Sequence, residues 1–582
     1  MAKILRVDMG AESAAFEEVP DKYRFARGRW LTSSLVVDEV QPTCHPLGPS
    51  NKLIFSPGIV TGTTAPTSAR ISVGGKSPLT GGIKESNAGT KFATMQARLG
   101  IAGIVIQGQP KNGSQYVLHI DKDGARLLPE DGLRGLGTYA TTDALIGKYG
   151  NVGVCCIGPA GEMRMAMAGI CFNDLENRAS RYSGRGGLGA VMGSKGLKAI
   201  VVNSRGAPAV PIANKDLFEM GRKKLTSALR SHDITKPKGG LNTYGTAVLV
   251  NMLNEAGGLP TRNFSRGRFE KAADIAGEAI FEGNKARLGK ELYNHACSPG
   301  CIIQCSNTWH SEDGSEAVSC IEYETVWAFG PDCEIGDLDV IGRLTWLCND
   351  IGIDTIEAGG TVAVAMEGGV IPFGDGQGAI GLLEEVRKGT PLGHIIGAGA
   401  AVTGKVFGVV RVPVVKGQSM PAYDPRVVKG IGVTYATSTM GADHTAGYTI
   451  APEILGVSGK VDSFDVKKAE LSRNFQTTTA FIDSIGHCLF IAFAILDFPE
   501  GFEGMIEECN GVLGTNWMAE DVGRIGAEIL ARERDFNKGA GFTSADDRLP
   551  EFMKYEPLPP HNEVWNVSDE ELDAVHGGLA SR

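Results

Sequence analysis

Three cysteines stand four residues apart in HACSPGCIIQCSN (295–307): Cys297, Cys301 and Cys305. That spacing would align thiols on one helix face. Pro299 and Gly300 instead favour a loop between the first two, followed by one helical turn from Cys301 to Cys305. A loop that presents several thiolates is how proteins hold iron–sulfur clusters or structural zinc. Three neighbouring ligands leave a fourth to come from elsewhere. Cys488 is a candidate, and His295 is the zinc alternative. The bland alternative is three packed or exposed thiols.

Two other residues could move protons. Glu324 lies in EYETVW, between Tyr323 and an apolar run. A carboxyl desolvated there has a raised pKa and suits a general base, although a buried partner of an arginine or a helix cap would look the same. His444 lies in the Gly-rich stretch GADHTAG, where surface histidines are also common. Two stretches resemble each other, NDIGID (349–354) and DSIGHC (483–488). Each has a polar residue, a glycine three positions later, and an acceptor or thiol at the sixth. Such a turn can wrap a polar ligand, but helix caps share the form. The second ends in Cys488, so any ligand it wraps would abut a cluster bound there.

GRGGLG (184–189) matches G-x-G-x-x-G. A dinucleotide fold also needs an acidic residue about 20 positions on, at a strand end. LKAIVVNSRG ends in Asn203, Ser204 and Arg205, so the Rossmann reading is rejected. The glycines at 184, 186, 187 and 189 still allow close backbone approach to a phosphate. Arg181 and Arg185 flank them and could pair with its charge.

These residues must be held by two kinds of element. Up to about residue 205 the chain is rich in short β-like runs, among them KLIFSPGIVTG (52–62), AGIVIQG (102–108) and LKAIVVN (197–203). They predict two packed sheets. From PIANKDLFEMGRKKL (211–225) onward the spacing is helical. Soft boundaries fall near 205–212 and near 412.

Composition narrows the classes further. The 582 residues are 42% apolar and 21% charged, with 79 glycines, and 57 basic against 67 acidic residues leave a net charge of −10. No basic stripe argues for nucleic acid. An acidic surface fits a soluble enzyme and a docking face for a basic partner. The N-terminus reads as a strand, and the longest apolar run, Cys488–Leu496, stops well short of the about 20 residues that span a bilayer. A cytoplasmic protein is expected, in which the twelve cysteines form no disulfides.

The motifs taken in order resemble the tungsten-containing aldehyde:ferredoxin oxidoreductases. The likeness is carried by PLTGG (78–82) with SNAG (86–89), IGPAGE (157–162), SGRGGLGAVMGSKGLKAI (183–200), YGTAVLVN (244–251), EYETVWAFG (322–330), PAYDPR (421–426) and IDSIGHCLF (482–490). It covers nearly the whole chain. The resemblance implies an α+β fold, with a β-rich cofactor-base domain at 1–207. A helical domain at 208–412 would carry the cluster cysteines and the first loop. A second, at 413–582, would carry the second loop and the fourth cysteine.

The same resemblance implies a tungsten ion held by two pterins, a [4Fe–4S] cluster and a Mg²⁺ bridging the pterin phosphates near Asn87 and the backbone of Tyr182. Cys297, Cys301, Cys305 and Cys488 become cluster ligands, with Arg70 between cluster and pterin. Asn87, Gly89, Arg181, Tyr182, Gly184 and Arg185 become pterin-phosphate contacts. Asn349, Ile353 and Asp354 from one loop, and Asp483 and His487 from the other, become pterin contacts, with Thr439 and Met440 as weaker candidates. Glu324 and His444 stand beside the metal as proton-handling residues, and Tyr323 orients the substrate.

Three departures from the family pattern stand out. The cysteines read C-x3-C-x3-C where C-x2-C-x3-C is usual, Asn349 stands where the family has Asp, and NDLENRASRYSGRGG is longer than usual. The reaction implied is oxidation of an aldehyde to an acid. Electrons would pass to ferredoxin, or to a cluster-rich subunit leading to a flavin-containing NAD reductase, in an oligomeric assembly. The alternatives are reduction of an aromatic thioester or carboxylate on the same cofactor, a molybdenum-loaded relative, and a zinc-stapled protein without activity.

Overall fold

The computed structural model describes residues 2–111 and 113–577. The N-terminal third forms two six-stranded sheets. In the first, the strands lie in the order Ser13–Glu18, Lys3–Asp8, Ile101–Gln107, Leu53–Pro57, Arg70–Lys76, Ile83–Gly89. In the second they lie in the order Gly124–Pro129, Tyr116–Asp121, Leu197–Val202, Gly153–Cys156, Ile170–Asn173, Ala179–Ser183. Numbered along the chain, the second order is the first displaced by six strands. Each sheet has a single parallel pair, Lys3–Asp8 with Ile101–Gln107 and Tyr116–Asp121 with Leu197–Val202. The same connections recur in both, so the base is an internal structural repeat.

Apolar runs in these strands explain the packing. Leu5, Val7, Phe55 and Val73 of the first sheet share one core with Leu118, Cys155, Phe172 and Ile200 of the second. Burying both inner faces removes apolar surface from water, the largest favourable contribution to such packing. The two packed sheets expected from the sequence are present. The edge strands Ile83–Gly89 and Ala179–Ser183 adjoin, with Ser183 Oγ donating to Ser86 O at 3.1 Å. That seam is the floor of the site.

The rest is mainly helical. The expected helix near 211–225 runs over Lys215–Ser231, where Asn214 caps its N-terminus by accepting from Leu217 N–H. Two helices end on the seam, Leu338–Ile351 and Ala469–Ile485. Gly352 and Gly486 terminate them in the left-handed region, at φ +78° and +94°. Only glycine adopts this without strain. Each cap then docks on a glycine of the base. A side chain on Gly158 would run into Ile351 O, and one on Gly58 into Gly486 Cα. No helix is long and apolar enough to cross a membrane among the described residues.

Candidate active site

Between the seam and the two helix ends lies a cleft made of two adjoining cavities, of about 190 and 290 Å³. Arg70, Asn87, Tyr182, Gly184, Arg185 and Ile356 line both. A larger cavity, about 600 Å³, lies elsewhere and shares only Thr439 with the residues named from sequence.

The sheet strands aim their polar residues upward into the cleft. Arg70 donates Nε–H to Asn87 Oδ1 at 2.5 Å. A side chain on Gly89 would meet Cys297 Sγ and an Arg70 nitrogen, so that glycine lets the first cysteine approach the floor. Arg181 is buried with one guanidinium nitrogen, Nη2, unpartnered. Such a group is costly unless something else accepts from it. Tyr182 donates its hydroxyl to Asn349 O at 2.8 Å.

Arg185 is already engaged. It pairs with Asp354 at 3.1 Å and donates to Ala442 O and Ser419 O at 2.7 and 2.6 Å. It buckles the sheets to both helical regions. The glycine loop also differs from expectation. Gly186, Gly187 and Gly189 face Lys84, Ala166 O and Gly169 O, so they serve internal packing. Gly184 alone among the four lacks a near neighbour and faces the cleft.

The two loops contribute differently. Asn349 and Ile353 line the cleft, and Asn349 donates its amide to Tyr139 Oη and Ser319 O. Asp354 caps the helix Thr355–Glu367 by accepting from Ile356 N–H. In the second loop Asp483 faces the cleft. Its carboxyl is pushed up to about 8 by burial and by Glu85, against the opposing pull of Arg29 and Arg70. Arg29 itself is held by Glu533 at 3.0 and 2.9 Å. His487 points away into the core, with Nε2 2.8 Å from Glu508 and Nδ1 3.1 Å from Pro66 O. Thr439 donates to Glu533 at 2.6 Å, and Met440 Sδ accepts from Glu85 N–H.

The thiols gather at one end. Thr67 stitches their two segments together: it donates N–H to Gly300 O, accepts from Ile302 N–H on its hydroxyl, and accepts from Cys488 N–H on its carbonyl. Those bonds, with Gln304 at φ +49°, replace the helical turn expected from Cys301 to Cys305. The thiols feel one another electrostatically. Burial pushes Cys305 up, and the charges of Cys488 and Cys297 add to the shift. A single zinc with Zn–S near 2.3 Å would draw its sulfurs to within about 4 Å of each other. Among the described residues the only group of three metal-type ligand atoms within 4.8 Å is Asp174, Glu176 and His295. No three of the four sulfurs lie mutually that close, although Cys297 and Cys301 hydrogen-bond each other. The Asp174 group is already filled by the Arg178 guanidinium, at 2.7 Å from Asp174 and 3.1 Å from Glu176.

Where the two cavities meet, Glu324 and His444 face each other, Oε1 to Nε2 at 3.4 Å. Glu324 Oε2 accepts from Ala422 N–H at 3.1 Å. Its Oε1 and the histidine Nδ1 are buried without a hydrogen-bond partner. Burial pushes the carboxyl up to about 8 and the imidazole down to about 4, so both are neutral at pH 7. Asp443, beside His444, is held well below the carboxylate range: burial opposes its charge, but Lys84 and Arg185 overcome that. Tyr323 is buried against Tyr423 and donates its hydroxyl to Ala422 O, so it supports the wall.

Sequence reasoning missed Lys84, Asp443, Arg29, Glu85, Glu322 and Cys320. Asp443 adjoins His444 and could have been found from GADHTAG. Lys84 sits between PLTGG and SNAG with no local signal, and only the fold brings it under Asp443.

A cleft with guanidinium groups in its walls and thiols at one end suits an anionic cofactor beside a metal centre. Residues 4–204 match the family model for the aldehyde ferredoxin oxidoreductase N-terminal domain, and residues 221–576 that for domains 2 and 3. The chain belongs to the aldehyde ferredoxin oxidoreductase family, and it is an enzyme. It is 36% identical to the tungsten-containing aldehyde ferredoxin oxidoreductase of Pyrococcus furiosus, over 96% of this chain and 92% of the relative. The corresponding protein of Thermococcus kodakarensis is 35% identical with the same coverage. The aliphatic sulfonate oxidoreductase WOR-like subunit of P. furiosus is more distant, at 24%. Among solved structures, the active site complex BamBC of benzoyl coenzyme A reductase shares the fold. Its TM-score is 0.78 at 18% identity, covering 99% of this chain and 93% of that one.

Proposed function

We propose that this chain oxidises aldehydes to carboxylic acids at a tungsten ion carried by two pterins in the cleft. Cys297, Cys301, Cys305 and Cys488 would hold a [4Fe–4S] cluster, which would supply a one-electron route to ferredoxin or a cluster-rich partner subunit. The names of the relatives support this reading. The observation that carries it is the Glu324–His444 pair, neutral, facing, and each with an unpartnered buried atom at the junction of the cleft.

The residues present fit the cofactor. Arg181 has a buried donor to spare, Gly184 leaves its side of the cleft open, and the four thiols suit a cluster. Asn349, Ile353, Asp354 and Asp483 line the cleft as pterin neighbours, with Met440 beside Asp483. Asn87 and the backbone of Tyr182 are the groups that would help hold a Mg²⁺ with the cofactor. The tungsten centre supplies the two-electron acceptor.

The oxidation forms a C–O bond from water to the carbonyl carbon, breaks the aldehyde C–H bond, and releases two protons and two electrons. The neutral His444 donates an N–H to the carbonyl oxygen. Glu324, once deprotonated, takes the proton of the attacking water through Oε1, the oxygen that carries no other hydrogen bond. The Ala422 N–H on Oε2 keeps the carboxyl aimed at the imidazole.

The test is anaerobic purification with metal analysis and an aldehyde-dependent viologen reduction assay. One tungsten with about four iron and four sulfide per chain, together with turnover, is expected. Zinc alone, with no pterin fluorescence after acid release, would overturn the reading.

A further inference from the structure

We propose that the aldehydes this enzyme prefers carry an apolar, ring-sized group, received in a pocket beside His444. The inference rests on the aldehyde-oxidation reading above. The pocket lies among the helices Ala469–Ile485, Ile491–Asp497 and Pro499–Leu513. Its volume is about 160 Å³, and its wall includes Phe475, Ile482, Phe490, Phe493, Leu496 and Phe502. No charged side chain lines it. A dry cavity of roughly 150 Å³ lined by Leu, Ile and Phe is large enough to take benzene.

The pocket lies between the surface and the cavity that holds His444. Asn474, exposed, marks its outer rim. Leu489 lines both this pocket and the cavity that holds His444, so the two adjoin there. Tyr448 belongs to the same wall, its ring 6.1 Å from that of His444 and 6.3 Å from that of Phe493. Its hydroxyl is turned to Tyr423 Oη at 3.0 Å, which leaves its ring as the surface presented. Aromatic walls favour a planar ring by edge and offset stacking. A phosphate or a second carboxylate there would be desolvated without a counter-charge. The ring therefore rests among the phenylalanines, and the formyl group passes Leu489 toward His444.

The test compares benzaldehyde, acetaldehyde and succinic semialdehyde as substrates of the metal-loaded enzyme, with calorimetric binding of benzoate and acetate beside it. Benzaldehyde should exceed acetaldehyde in kcat/KM by roughly tenfold or more, the scale on which apolar pockets discriminate. Succinic semialdehyde should fall below both. Thr478→Phe, which fills the pocket, should cut the benzaldehyde to acetaldehyde ratio by about tenfold and abolish the preference for benzoate. Phe502→Ala, which enlarges it, should raise 2-naphthaldehyde relative to benzaldehyde and covers the case in which Thr478→Phe does not fold. Equal use of benzaldehyde and acetaldehyde, or ratios that neither variant moves, would overturn the proposal. If the loaded enzyme oxidised none of these aldehydes, the reaction reading would fall. The benzoate measurement would then decide the pocket alone: binding sensitive to Thr478→Phe supports it, and equal binding of benzoate and acetate overturns it.

Discussion

The loops at 349–354 and 483–488 are the same turn put to different uses. Both are glycine-capped helix ends, both rest on a glycine of the repeated base, and both open on the cleft. In the first, nearly every polar group is satisfied by the protein. Asn349 bonds Tyr139 and Ser319, and Asp354 caps a helix and pairs with Arg185. In the second, Asp483 is held near neutrality in a buried cluster of Arg29, Glu85 and Arg70, and the sixth position is a thiol joined to no other cysteine. A duplicated cradle has thus been specialised. One copy closes the structure, and the other offers a free thiol beside the cleft.

The comparison breaks most decisively at its sixth position. Cys488→Ser should abolish turnover and lower the iron content measured per chain. Asp354→Asn should leave iron unchanged and destabilise the fold by about 3–5 kcal/mol in denaturant unfolding, because it strips one charge from a buried pair. Full iron in Cys488→Ser would remove Cys488 from the ligand set.

Neither loop closes off Glu324, and that residue is the next largest effect. Glu324→Gln should lower kcat by roughly 10²–10⁴-fold with tungsten still bound. Full turnover would exclude it as the base. The pH dependence follows with its sign. A carboxyl raised to about 8 is protonated below that pH and cannot accept a proton. The rate should therefore rise with pH, about tenfold per unit below the midpoint near 8, and then level off. A profile flat from pH 6 to 9 would assign the proton transfer elsewhere.

The shared feature of the two loops can be graded as well. Gly486→Ala and Gly352→Ala both force a left-handed backbone, each costing on the order of 1–3 kcal/mol. The first should cost more, since its added carbon would meet Thr61 Oγ1 at 2.3 Å, against 2.8 Å to Gly158 N for the second. Thermal unfolding of the pair would read the order. The smallest effect expected is Asn349→Asp. It loses two donated hydrogen bonds and faces the Ser319 carbonyl with a carboxylate, a cost of about 1–2 kcal/mol in the same assay.

Much of this was legible in the chain. Short apolar β-like runs announced the sheets, and the spacing after residue 211 announced the helices, because side-chain period follows directly from backbone geometry. The cysteine triplet and the paired NDIGID and DSIGHC turns were visible because close ligands and helix caps are local features. The repeat of the two sheets was not. Packing two such sheets requires only apolar faces in matching order, and very different residues meet that need. Nor could the sequence tell that Gly186, Gly187 and Gly189 are occupied by packing while Gly184 is open.

What the sequence determined by itself, then, is the kind of element at each point and the residue types able to do chemistry. The tertiary structure alone decided which of them meet. It brought Cys488 to Thr67 and the triplet loop, set Lys84 under Asp443, and turned Glu324 toward His444 where burial shifts both toward their neutral forms. These are pairings between distant segments. Packing of the sheets and helices sets them, and no local propensity specifies them.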